Sequence, residues 1–278
     1  MSDKILNIGI IGAGRIGRLH AENIVSCYRN VKLKSVSDLY YENLRDWADS
    51  LGIENLTGNY GDILDDPEID AVLVCSPTDT HARISIEAAD AGKHVFCEKP
   101  VDMDPDRIRE VLKHVEKAGV VFQVGFNRRF DRNFRKAYNT VREGKVGDIH
   151  IIRITSRDPA PPTPEYIKVS GGIFMDMTIH DFDMMRYLAG CEVTEVFAAG
   201  SVLVDKTIGE LGDIDTAAVV LKFENGAIGI IDNSRKAVYG YDQRVEVFGS
   251  KGGITVSNDT PSSVVLSTSE GVFSDKPK

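Results

Sequence analysis

Apolar and polar positions follow two different rhythms along this chain, and the change of rhythm divides it. The run Ile5-Leu6-Asn7-Ile8-Gly9-Ile10-Ile11 is nearly continuous and predicts a buried strand, and a helical pattern follows over 15–27. An alternating strand over 31–37 ends at Asp38, and 42–51 reads as a helix. Residues 59–64 read as a short strand or loop, and 71–75 as a buried strand ending at Ser76-Pro77-Thr78. A helix over 80–91 is closed by Gly92, and the strand 94–97 ends at Glu98-Lys99-Pro100. Asp104-Pro105 opens a helix that runs to Lys117, because proline fits a first helical position, and 120–125 closes the series. Such alternation predicts a doubly wound parallel sheet. Sheets of this kind bind ligands at the carboxyl ends of their strands.

From about Asn127 the rhythm changes. A helix is expected over 131–143, a strand over 149–155, a proline-rich loop over 158–164, and a helix from near Gly171-Gly172 to 188–190. Strands then dominate, over 193–204, 215–223, 227–233, 244–248, 253–257 and 264–267, with the hairpin signal Asn225-Gly226 between two of them. The expected fold class is α/β: a dinucleotide-binding domain over 1–124, then an α+β domain over 125–278 whose open sheet is mainly antiparallel. There is no internal repeat and no low-complexity segment.

A length of 278 residues agrees with two domains, and 42% hydrophobic with 27% charged content is that of a globular protein. The formal charge of −9 disfavours nucleic acid and anionic membrane surfaces as partners. No apolar run reaches the ~18 residues of a membrane span, and the start of the chain lacks a signal-peptide pattern. Cys27, Cys75, Cys97 and Cys191 form no C-x-x-C pair, which argues for a reduced, cytoplasmic protein without a zinc knuckle or a disulfide frame.

The chemistry concentrates at three places. Gly12-Ala13-Gly14-Arg15-Ile16-Gly17 has the form G-x-G-x-x-G between strand and helix, where free backbone N–H groups can take a pyrophosphate. Asp38, ending the next strand, can accept from both ribose hydroxyls and would repel a 2′-phosphate, favouring NAD over NADP. Lys99 lies at a strand end, where an ammonium can reach both a substrate oxygen and a nicotinamide ribose. Asp176 and His180 are four apart on an expected helix, so a carboxylate could orient a histidine base. A surface ion pair is the plainer reading of that last spacing. Asp181 and Asp183 are expected on other faces, so no metal site is expected, and Cys97 has no neighbouring base to make it a nucleophile.

The chain resembles the Gfo/Idh/MocA oxidoreductases, most of all their inositol 2-dehydrogenase branch. The resemblance rests on GAGRIG at 12–17, SPTDTH at 76–81, CEKP at 97–100, GFNRRFD at 125–131 and GGIFMDMTIHDFDMMRYL at 171–188. It implies a catalytic trio of Lys99, Asp176 and His180 and a cis Lys99-Pro100 peptide. It implies cofactor contacts from Gly12, Gly14, Arg15, Ile16, Asp38, Ser76, Thr78, His81, Glu98, Lys99 and Gln123. Substrate contacts are expected from Lys99, Arg129, Asp158, Asp176, His180 and Tyr239. Some members carry a histidine where this chain reads Ser156-Arg157-Asp158-Pro159, which leaves the exact polyol open. The family also continues past the point where this sequence stops, at Asp275-Lys276-Pro277-Lys278, so a shortened chain is expected.

The reading that follows is an NAD-dependent oxidation of a secondary alcohol on a cyclic polyol, myo-inositol first. The protein is expected to be a cytoplasmic homodimer or homotetramer joined through the second sheet. Dehydrogenation of another sugar, or nicotinamide binding without turnover in a regulatory protein, are the alternatives.

Overall fold

The computed structural model describes residues 5–275; the first four residues, and 276–278 at the chain end singled out above, lie outside the described residues. One compact unit ends at Gly125 and a second begins at Phe126.

The first unit holds six parallel strands: β1 Leu6–Ile11, β2 Val31–Ser37, β3 Asn55–Thr57, β4 Ala71–Val74, β5 His94–Cys97 and β6 Phe122–Val124. Their order, β3-β2-β1-β4-β5-β6, is that of the doubly wound dinucleotide-binding fold, with its switch point between β1 and β4. The helices are α1 Arg15–Cys27, α2 Arg45–Ser50, α3 Gly61–Leu64, α4 Thr78–Asp90 and α5 Pro105–Ala118. Each starts and stops for local reasons. Asp104 caps α5 by accepting from the Asp106 amide, Pro105 takes the first turn, and Gly119 ends the helix at φ 67°. Apolar side chains fill both faces of the sheet, with Ile11, Val72, Val74 and Val95 on one side and Ile8, Ile10, Leu33 and Val36 on the other.

One expectation fails here. Residues 59–64 are not a strand: the edge strand is Asn55–Thr57, and Gly61–Leu64 is a single helical turn. The Asn59 side chain accepts from the Gly61 amide at 3.0 Å and so starts that turn locally.

In the second unit α6 Arg132–Arg142 is capped by Asp131, which accepts from the Asn133 and Phe134 amides. The strands are β7 Ile149–Arg157, β8 Val193–Ser201, β9 Thr216–Phe223, β10 Ile228–Ser234, β11 Asp242–Gly249 and β12 Gly252–Val256. Their order is β12-β11-β7-β10-β9-β8. Every neighbouring pair is antiparallel except β7 with β10. The β9–β10 hairpin turns at Asn225-Gly226, where Gly226 takes φ 83°. Helices α7 Pro164–Ile167, α8 Ile179–Ala189 and α9 Lys206–Glu210 complete the unit, with a small hairpin of β13 Val265–Thr268 and β14 Gly271–Ser274. α6 and α8 share one core with the inner face of the sheet, through Phe134, Ala137, Met184, Met185 and Leu188 against Ile152, Ile154, Val219, Leu221 and Val247.

The expected strand 193–204 is shorter than its pattern suggests. It stops at Ser201, and Asp205 then caps the short α9 by accepting from the Thr207 amide.

Candidate active site

In the first unit the glycine loop is shaped by contacts that leave no room for side chains. Gly12 has φ 94°, and a Cβ there would sit 2.5 Å from the Ser76 backbone nitrogen. A Cβ on Gly17 would sit 2.0 Å from the Gly12 carbonyl oxygen. Gly14 instead faces open space and stands at the N-cap of α1 without a side-chain cap. An uncapped helix start behind an unobstructed glycine suits a pyrophosphate, which would accept from the orphan N–H groups. Arg15 is exposed beside this opening and Ile16 is half-buried.

Asp38 closes the loop from below. Its Oδ2 accepts from the Ala13 amide at 2.8 Å and its Oδ1 from the Tyr40 amide at 2.8 Å. Each oxygen keeps further acceptor capacity for a ribose hydroxyl.

At the end of β4, Ser76 Oγ is hydrogen-bonded to Thr80 Oγ1 at 2.6 Å, and Thr78 begins α4. His81, an expected cofactor contact, is buried and has a protein partner at each ring nitrogen. Its Nδ1 is hydrogen-bonded to the Pro100 carbonyl at 2.8 Å and its Nε2 to the Ser76 carbonyl at 2.7 Å. Both nitrogens are used in tying the two strand-end loops together. The Lys99–Pro100 peptide is cis, as the resemblance implies. Lys99 is half-buried, and Gln123 is exposed on the short edge strand β6, opposite Phe96.

Beside Lys99, the Glu98 carboxylate is held by a residue that sequence reasoning passed over. His20 Nε2 on α1 lies 2.7 Å from Glu98 Oε1, and its ring meets Phe96 edge-on. A Cβ on Gly125 would come within 2.9 Å of Glu98 Oε2, so that glycine leaves room for the carboxylate. Burial pushes the Cys97 thiol up to about 12 and raises Cys75 as well, so neither carries a thiolate at neutral pH.

In the second unit, three adjacent strands place residues from distant parts of the chain at one end of the sheet. The parallel register aligns Arg157 of β7 with Ser234 of β10, so Asp158 and Arg235 leave their strands side by side. Asp242 opens β11 opposite Arg157, which brings Tyr241 to the same end. Asp176 belongs to Phe174–Thr178, a π-helical turn that leads into α8, not to a uniform α-helix. Its carboxylate accepts from Tyr166 Oη at 2.8 Å and from Arg235 Nη1 at 2.8 Å. Asp158 is hydrogen-bonded to Tyr241. Burial is the main cause that raises the Asp158 carboxyl, and burial together with Asp158 pushes the Tyr241 phenol up to about 12. His180 lies in the first turn of α8, and its ring meets Phe126 edge-on with centroids 6.4 Å apart.

Beneath this rim runs a buried polar network. Asp181 is fully buried and accepts from Arg128 Nη1 and, at 2.8 Å, from Asn233 Nδ2. Arg128 Nη2 also donates to Ser156 Oγ at 2.9 Å, and Thr178 Oγ1 donates to Asn233 Oδ1 at 2.6 Å. Burial raises the Asp181 carboxyl, against the lowering effect of Arg128.

Two expected substrate residues have protein partners of their own. Arg129 donates to both oxygens of Asp183 and lies over the Tyr187 ring. Tyr239 donates to Asp242 at 2.6 Å and accepts from Arg157 at 3.0 Å. Arg235, Tyr166, Tyr241 and Arg128 are the residues that sequence reasoning missed. Among the described residues no group of three or more His, Cys, Asp or Glu side chains is placed to hold a metal ion. No described helix is long and apolar enough to cross a membrane.

Comparison with known proteins agrees with this geometry. Residues 6–126 match the family described as "Oxidoreductase family, NAD-binding Rossmann fold", and residues 134–255 match "GFO/IDH/MocA C-terminal domain". An uncharacterized oxidoreductase of Bacillus subtilis is 56% identical over 99% of this chain and 80% of its own length. The myo-inositol 2-dehydrogenase of Thermotoga maritima is 54% identical over 96% of this chain and 79% of its own. The crystal structure of scyllo-inositol dehydrogenase from Lactobacillus casei with bound NAD(H) and scyllo-inositol superposes with a TM-score of 0.90. It is 33% identical and covers 99% of this chain and 82% of that one.

Proposed function

Since this chain belongs to the GFO/IDH/MocA oxidoreductases and is an NAD-dependent dehydrogenase, we propose that its substrate is a cyclic polyol, myo-inositol first, oxidised at one secondary alcohol to the keto form. The observation that carries this reading is the cluster at the end of β10, β7 and β11. There Asp158, Asp176 and Tyr241 offer carboxylate and phenol groups suited to hydroxyls, close in sequence or space to the helix whose first turn carries His180. The relatives named for inositol oxidation, and the complex holding NAD(H) and scyllo-inositol, support the same class.

On this reading His180 takes the hydroxyl proton, Asp176 orients it, and Lys99 steadies the developing alkoxide. NAD, held by the glycine loop and Asp38, supplies the hydride acceptor, and the protein contributes alignment and electrostatics. Glu98, Ser76, Thr78 and Gln123 are proposed to line the nicotinamide and ribose positions. Arg129 and Tyr239 belong to the proposal as contacts to outlying hydroxyls; Tyr239 is 42% exposed, which leaves its ring edge accessible. The four free cysteines fit a reducing cytoplasmic setting.

The test is a panel of inositols, other polyols and aldoses with NAD or NADP, followed by absorbance of the reduced nicotinamide. An inositol with NAD is expected to turn over best, and NADP to be at least tenfold worse in kcat/KM, about 1.4 kcal/mol. Asp38→Ala should weaken NAD and narrow that gap. Turnover of aldoses alone would shift the assignment to another sugar, and equal use of both cofactors would remove the role given to Asp38.

Assembly through the second sheet is part of the same proposal. Its outward face carries Phe197 of the edge strand β8 beside Val220 of β9, 68% and 43% exposed, with Ile228 and Phe248 further along. Apolar side chains in such number on one sheet face favour burial against a second copy. Ultracentrifugation at micromolar concentration should give a dimer or tetramer, and a sharp monomer boundary would reject this.

A further inference from the structure

Arg235 is the largest of the fully buried side chains, only 2% exposed, and a guanidinium remains charged at any working pH. Burying it is costly unless carboxylates surround it. Three do. Its Nη1 lies 2.8 Å from Asp176 Oδ2 and 3.7 Å from Asp158 Oδ2, and its Nη2 lies 3.8 Å from Asp213 Oδ2. Asp213 is itself committed, its Oδ1 accepting from the Ile173 and Ile214 amides and so fixing the start of the helix that carries Asp176.

Only one of the three contacts is a full hydrogen bond, and it goes to Asp176. We propose that Arg235 is a positioning residue for the reaction: it holds the Asp176 carboxylate charged and aimed, while Asp158 and Asp213 hold the guanidinium in place. This rests on the role given to Asp176 above.

The electrostatic sense is definite. A guanidinium at 2.8 Å favours the ionised form of its partner. Among the described residues, the charged and titratable groups near this centre include Asp158, Asp213, Arg128 and the phenols of Tyr166 and Tyr241, and His180 follows Asp176 by four positions. Tyr166 donates to Asp176 Oδ1 and favours the anion as well. Asp158 competes for the same guanidinium, and its own carboxyl is already raised, mainly by burial. Weakening Arg235 should therefore make Asp176 easier to protonate, whereas neutralising Asp158 should make it harder.

The experiment compares kcat, polyol KM, NAD affinity and the pH profile of kcat in Arg235→Lys, Asp158→Asn and Asp176→Asn, each checked for folding by thermal melting. In Arg235→Lys, kcat should fall by about 10–100-fold, the range for a misplaced catalytic group. NAD affinity should hold, and the acidic limb of the profile should move to higher pH. In Asp158→Asn the limb should move to lower pH. A folded Arg235→Lys protein with the wild-type limb, or losses that only follow the folded fraction, would overturn the proposal. If Arg235→Lys does not fold, an unmoved limb in Asp158→Asn overturns it alone. Asp176→Asn separates the two levels: if that variant keeps wild-type turnover, the parent assignment of Asp176 has failed, not the role of Arg235.

Discussion

His180→Ala is expected to lower polyol turnover by about 10²–10⁴-fold, the usual worth of a positioned general base, with NAD affinity nearly unchanged. The asymmetry follows from where the residues lie. His180 lies in the first turn of α8 in the second unit, whereas the glycine loop and Asp38 that suit the cofactor belong to the first. Lys99→Met should also lower turnover, but with some loss of cofactor affinity, since the ammonium at that strand end is proposed to serve both ligands. Stopped-flow and steady-state measurement of NADH formation, beside NAD titration, decide the matter. Retention of more than about a tenth of wild-type turnover in His180→Ala, against the loss expected of a general base, would move the base elsewhere, and Lys99 would be examined next.

How much of this was legible in the sequence differs between the two units, for a physical reason. In a doubly wound sheet the candidate ligand-binding residues come directly after the strand ends. Gly12 follows β1, Asp38 follows β2, Glu98 follows β5, and Ser76 follows β4 after one intervening residue. Reading the strands therefore finds the candidate residues of the first unit. The second unit assembles its candidate residues from strands that are neighbours in the sheet but not in the chain. Asp158 and Arg235 meet because β7 and β10 pair in parallel, a register that no local pattern reveals. Tyr239 and Tyr241 are two apart, but a turn with Gly240 at φ 115° lies between them: Tyr241, directly before β11, bonds Asp158, while Tyr239 turns to Arg157 and Asp242. Likewise Arg128 and Arg129 are consecutive but diverge, one to buried Asp181 and the other to Asp183. The π-turn over Phe174–Thr178 is invisible to a 3.6-residue pattern, yet it sets where Asp176 points. No local pattern marks His20, because its partner Glu98 is 78 positions away.

The Arg128–Asp181 pair carries the largest expected effect on stability. Asp181 is fully buried, and Arg128 is 7% exposed. Arg128→Met would leave a buried carboxylate with only the neutral Asn233 amide and Ser156 hydroxyl as partners among the described residues, and breaking one side of such a pair costs about 3–5 kcal/mol. For a domain of this size that is a fall in Tm of roughly 10 °C. The effect should depend on pH, and its sign is fixed by burial. The Asp181 carboxyl is raised by desolvation even with Arg128 beside it, and losing the guanidinium would raise it further. A raised folded pKa means that stability is fully present below the unfolded carboxyl range and is lost as pH rises through the folded value. The deficit of Arg128→Met should thus be largest at neutral pH and shrink on acidification. Asp181→Asn in the same chain removes the charge while leaving an amide to meet Asn233, so Arg128→Met with Asp181→Asn should recover most of the lost stability at neutral pH. Thermal and urea unfolding of the three variants across pH measures each leg of that cycle. If Arg128→Met melts within a degree or two of the wild type at neutral pH, the network beneath the site is not what holds this end of the sheet together.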